Sequence, residues 1–208
     1  MRFPLEVNRN PNIDLIRGFA IILMVLDHAL LAIATIFGSN EYIYLLRVTL
    51  TRFSMPLFMI VSGSVLYLYG IKIKRWLTVF CLALLINLFA ITLWEDFNSP
   101  EILLVWTFVV VFIKFIFKYP LVSLIIGFIQ NQYFPIHIFD YSGYQPGEIV
   151  IFLVIGIFAS TYITNLSFPI LSKFMIYNLI IFIGRKPLTI YFTHLLFISA
   201  TVYYLTPL

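Results

Sequence analysis

Apolar residues fill long, nearly unbroken runs along this chain, and polar positions are confined to short segments between them and a few isolated sites inside them. The runs at 15–37, 53–69, 76–94, 102–117, 149–164 and 188–205 predict membrane-spanning helices, because about 20 apolar residues in helical form cross a bilayer core of about 30 Å. Two shorter runs, 121–130 and 174–183, fall below that length and predict helices that are tilted, re-entrant or extended by their flanks. The expectation is an all-α, polytopic transmembrane bundle of six to eight spanning helices, with residues 1–208 forming one domain. Connections are short apart from 131–147, whose two prolines, two glycines, His137 and Asp140 suggest an ordered extramembrane segment or a re-entrant turn.

Against this background the first run stands out, because Asp14, Arg17, Asp27 and His28 sit in or beside it. Ionisable groups in a spanning helix are costly and mark a pathway or reaction centre by default. Arg17 and His28 are eleven positions apart, which places them within about 20° of each other around a helix and about 16 Å apart along it. Asp14 precedes Arg17 by one turn, the spacing at which a carboxylate pairs with a guanidinium. Asp27 points about 100° away from its neighbour His28, so its partner is expected on another helix. Structural roles compete with functional ones here. Arg17 can be locked to Asp14 or can snorkel to the headgroups, and a buried histidine is often a hydrogen-bonded core residue.

Composition agrees with the pattern: 62% of residues are hydrophobic, 11% are charged, and the mean hydropathy is +1.03. A water-soluble domain of this size has no way to hide so much apolar surface, so an integral membrane protein with the lipid bilayer as its first partner is expected. The net charge of +4 is then read as lysine and arginine at cytoplasmic loops, with no nucleic-acid partner. Cys81, the single cysteine, excludes an internal disulfide and a thiolate cluster. Three histidines without an i, i+4 pair predict no metal site. The N-terminal stretch lacks a cleavable signal pattern. Eight crossings with a cytoplasmic N-terminus would put Arg17, Lys72, Lys74, Arg75, Lys114, Lys118 and Lys173 inside, with Arg47, Arg52, Arg185 and Lys186 opposite. The same topology places the Asn165-Leu166-Ser167 sequon inside.

Two further segments carry polar or small residues in apolar surroundings. In the second run Pro56 is expected to interrupt helical hydrogen bonding, and Ser62-Gly63 allows close helix approach. In the last run Tyr191 and His194 lie one turn apart after Gly184.

These three segments together resemble the membrane acyltransferase type 3 family and its relatives, including the heparan-alpha-glucosaminide N-acetyltransferase group. Asp14, Arg17, Gly18 and His28 match the family's first helix; Pro56, Leu57, Phe58, Ser62 and Gly63, followed by the basic run Lys72 to Arg75, look like its second; Gly184, Tyr191 and His194 look like its last. The resemblance implies acyl transfer, most often of acetyl, from acyl-coenzyme A as co-substrate to a hydroxyl or amine of a glycan or lipid-linked sugar. It makes His28 the base or acyl acceptor, with Asp27, His194 and Tyr191 completing the catalytic set and Tyr191 and His194 donating hydrogen bonds to the oxyanion. Arg17, Lys72, Lys74 and Arg75 would bind the coenzyme, while Asp14, Pro56, Ser62 and Gly63 are structural. Lys114 and Lys118 stand as possible substitutes for an Arg-x-x-Arg signature that this chain lacks. Members of the family usually have about ten or more spanning helices, so a shortened partner subunit is an alternative. A small transporter or flippase with Arg17, Asp27 and His28 as a relay is another.

Overall fold

The computed structural model describes residues 10–38, 40–49, 51–94, 102–135, 145–166 and 174–205; His137 and Asp140 lie outside them. Every element among the described residues is helical: α1 (Pro11–Phe37), α2 (Glu41–Thr49), α3 (Ser54–Tyr69), α4 (Ile73–Trp94), α5 (Ile102–Val111), α6 (Ile113–Lys118), α7 (Pro120–Tyr133), α8 (Pro146–Asn165), α9 (Met175–Arg185) and α10 (Pro187–Leu205). Among the described residues four stretches are long and apolar enough to cross a membrane: Pro11–Phe37, Glu41–Tyr69, Pro146–Asn165 and Pro187–Leu205. Six to eight had been expected. The run at 102–117 breaks at Phe112 into α5 and α6, of 10 and 6 residues, and neither piece reaches spanning length. With 11 residues, α9 is only about 16 Å long, half of a bilayer core.

Local sequence sets the helix ends. Asn10 caps α1 by accepting a hydrogen bond from the Asn12 backbone N–H, and Pro11 follows at the first helical position, where a missing N–H costs nothing. The amides of Asn10 and Asn12 also donate to the carbonyls of Thr164 and Leu166, fastening the start of α1 to the end of α8. A capping box between Gln145 and Glu148 opens α8, again with proline first. Pro56 is the third residue of α3, and a 3₁₀ turn at Thr51–Phe53 lies between α2 and α3, so the departure from regular α-helix within the stretch Glu41–Tyr69 falls just ahead of the proline, on the side where its ring and missing N–H disturb the ladder.

Between helices, small residues replace the hydrophobic driving force that lipid removes. A Cβ at Gly184 would collide with the backbone of Asp14, and one at Gly18 with the backbone of Ile180, so α1 and α9 touch main chain to main chain. Gly63 and Gly156 do the same for α3 and α8, where the Ser64 hydroxyl donates to the Gly156 carbonyl at 2.7 Å. The largest apolar cluster, including Met59, Val110, Ile113 and Leu153, fills the space among α3, α5, α6 and α8.

Candidate active site

The start of α1, the end of α3 with the start of α4, and the junction of α9 with α10 meet at one end of the bundle. Asp14 and Arg17 are 1% and 6% exposed, and Arg17 Nη1 donates to Asp14 Oδ1 at 3.2 Å and to the Gly184 carbonyl at 3.4 Å. Arg17 thereby caps the C-terminal turn of α9, whose last carbonyls lack helical partners. Arg185 Nε lies 3.7 Å from Asp14 Oδ2. This corrects the eight-crossing topology, in which Arg185 and Lys186 faced the side opposite Arg17. Because α9 is half a span, its end returns to the end of the bundle where α1 begins, and Arg185 joins Arg17, Lys72 and Arg75 there.

A cavity of about 710 Å³ opens at this end. Arg17, Lys72 and Arg75 line it together with Asn10, Asp14 and Ser62, and apolar residues such as Phe58, Trp76 and Trp106 form much of its wall. Lys74 is exposed and does not line it. Ser62 faces the cavity, whereas its neighbour Gly63 packs against α8. Val79, Leu103, Trp106 and Leu188, which also line the cavity, form one apolar cluster with Tyr191, one turn before His194.

His28 and His194, from opposite ends of the chain, meet with His28 Nδ1 2.9 Å from His194 Nε2. The ring planes differ by 11° and the centroids are 5.1 Å apart, as for two rings meeting edge to edge across a hydrogen bond. His194 Nδ1 lies 2.8 Å from the Ile190 carbonyl. A carbonyl only accepts, so His194 Nδ1 carries a proton; in a neutral pair His194 Nε2 is then the acceptor and His28 Nδ1 the donor. That leaves the lone pair on His28 Nε2, which makes no hydrogen bond to a described residue. Both nitrogens of His194 are engaged, so the expected oxyanion bond from His194 has no N–H to make it. Tyr191 meets the His194 ring edge-on at 5.6 Å between centroids.

Asp27 does not touch His28 through a hydrogen bond; it forms a forked ion pair with Arg47 of α2, Nε to Oδ1 at 3.1 Å and Nη2 to Oδ2 at 3.4 Å. Sequence reasoning missed Arg47 and Arg185 as partners, and it missed Trp76 and Trp106 as cavity walls. A lone arginine at a helix end carries no signal of which carboxylate it meets. Among the described residues no three His, Cys, Asp or Glu side chains converge to hold a metal ion.

Apolar helices of spanning length, enclosing a buried ion cluster and a histidine pair, define a helical integral membrane protein. The chain belongs to the membrane acyltransferase type 3 family: a family model described as an acyltransferase domain matches residues 10–121, more than half of it. Neither a curated protein nor a solved structure matches the chain. Arg17, His28, Lys72 and Arg75 fall inside the matched stretch; Tyr191 and His194 lie beyond it and reach His28 through the fold.

Proposed function

We propose that the protein transfers an acyl group, most simply acetyl, from acyl-coenzyme A to a hydroxyl or amine of a glycan or lipid-linked sugar. The hydrogen bond between His28 and His194 carries this reading, because it leaves a basic nitrogen on His28 inside a spanning helix, where ionisable groups are costly and mark function. The acceptor oxygen or nitrogen attacks the thioester carbonyl carbon while His28 Nε2 takes its proton. The tetrahedral oxyanion then collapses, the carbon–sulfur bond breaks, and coenzyme A leaves as a thiolate that recovers the proton from the imidazolium. His194 is a positioning residue that accepts from His28 Nδ1 and spreads the positive charge toward the Ile190 carbonyl. Donation to the oxyanion falls to Tyr191.

Arg17, Lys72 and Arg75 are assigned to the coenzyme phosphates, since they bring positive charge to a cavity whose remaining wall suits an extended, mainly apolar arm. Lys74 contributes only to the field around the mouth. The His28 ring lies about 16 Å along α1 from Arg17, a separation that calls for a long donor reaching inward from its phosphates. Gathering of Arg185 and Lys186 with the other cations at this end favours a cytoplasmic location for it, and hence for the N-terminus. The test is release of coenzyme A thiol from acetyl-coenzyme A by the purified protein in nanodiscs. Release lost in His28→Ala and slowed by a factor of about 10²–10³ in His194→Phe supports the assignment. Unchanged release in both variants overturns it.

A further inference from the structure

The forked pair of Asp27 and Arg47 has an unusual place. Asp27 lies about 15 Å beyond Arg17 along α1, well inside the spanning helix, yet its side chain is 26% exposed and that of Arg47 is 32% exposed. Charges at such depth face a protein interior or a wet cavity, because exposure to hydrocarbon is costly. Arg47 comes from α2, a helix with no buried residue, and its partner Asp27 directly precedes His28 on α1. Neither charge of the pair lines the apolar-walled cavity. A partly exposed charged pair thus sits next to the reacting histidine along α1, separate from the apolar-walled cavity.

We infer that Asp27 and Arg47 form the acceptor subsite, binding adjacent hydroxyls of a polyhydroxylated acceptor beside His28. A carboxylate accepts from one hydroxyl while the planar guanidinium donates to its neighbour, so the fork reads vicinal hydroxyl pairs in a way that a single charge does not. A sugar fits this pattern and a simple alcohol does not. The inference rests on the acyltransferase reading for its catalytic consequence, but binding at the pair is measurable without turnover.

The experiment uses the full chain in nanodiscs with methyl glucoside as probe and ethanol as control. In the first arm, mass spectrometry follows modification of Arg47 by phenylglyoxal. Slowing by methyl glucoside but not by ethanol is expected; equal rates overturn the subsite. In the second arm, Arg47→Lys and Asp27→Asn raise KM for methyl glucoside by about tenfold while KM for acetyl-coenzyme A moves by less than about twofold. The charge-swapped Asp27→Arg/Arg47→Asp protein separates recognition from packing. A swap that restores both melting temperature and the sugar KM assigns the pair to holding α2 and overturns the proposal; a swap that restores stability alone supports it. If methyl glucoside protects Arg47 but no acceptor releases coenzyme A, the transferase reading fails while the polyol site stands.

Discussion

Replacing Arg17 by alanine removes the two bonds from Nη1 to Asp14 Oδ1 and the Gly184 carbonyl, and strips a close cation from a carboxylate that is 1% exposed. Breaking a buried pair from one side costs about 3–5 kcal/mol, most of it from the charge left behind. Asp14 keeps its contact with Arg185, but that contact is 3.7 Å long and the Arg185 side chain is 54% exposed, so solvent screens it. The low end of the range, about 3 kcal/mol, is therefore expected. For a chain of this size that lowers Tm by roughly 6–12 °C. Tryptophan fluorescence during thermal unfolding in detergent reads it, because Trp76 and Trp106 line the adjacent cavity. Adding Asp14→Ala removes the stranded charge and is expected to recover about 1–2 kcal/mol. A single variant within about 2 °C of the wild type, or a double variant as unstable as the sum of the singles, refutes the reasoning.

Gly184→Val drives a side chain into the Asp14 backbone and is expected to cost about 3 kcal/mol, whereas Gly38→Ala, with φ of 89° and nothing within 4 Å, costs about 1 kcal/mol from the left-handed backbone alone; Tm shifts in the reverse order contradict the packing account. Coenzyme A is expected to shield Lys72 but not Lys74 from an amine-acylating reagent, read by peptide mass spectrometry, because only Lys72 lines the cavity. In a Cys81→Ser background, Lys186→Cys and Lys74→Cys are expected to react with a membrane-impermeant maleimide from the same face of sealed vesicles, and labelling from opposite faces contradicts the half-length reading of α9.

The parts of the fold that depend on neighbours along the chain were legible without a structure. Asp14 and Arg17 share a helix face at one-turn spacing and do pair. The helical class followed from the length of the apolar runs, and Asp27 was expected to find its partner off its own helix, as it does in Arg47. What spacing could not supply was pairing across the chain. His28 and His194 are separated by 166 positions, and only the family resemblance linked them before the fold brought their rings together. The topology erred for a specific reason. The eight-crossing orientation took even the short run 174–183 as a crossing, but α9 has 11 residues and its end lies beside Asp14, which puts Arg185 at the same end of the bundle as Arg17.

The central claim is that His28 acts as the base for acyl transfer from coenzyme A. The most direct measurement supplies reconstituted protein with acetyl-labelled acetyl-coenzyme A and follows the label to acceptor, protein and water, beside His28→Ala. The account predicts label on a hydroxyl- or amine-bearing acceptor with stoichiometric release of coenzyme A, and loss of both in the variant. Label that reaches the acceptor equally without the His28 imidazole would contradict it.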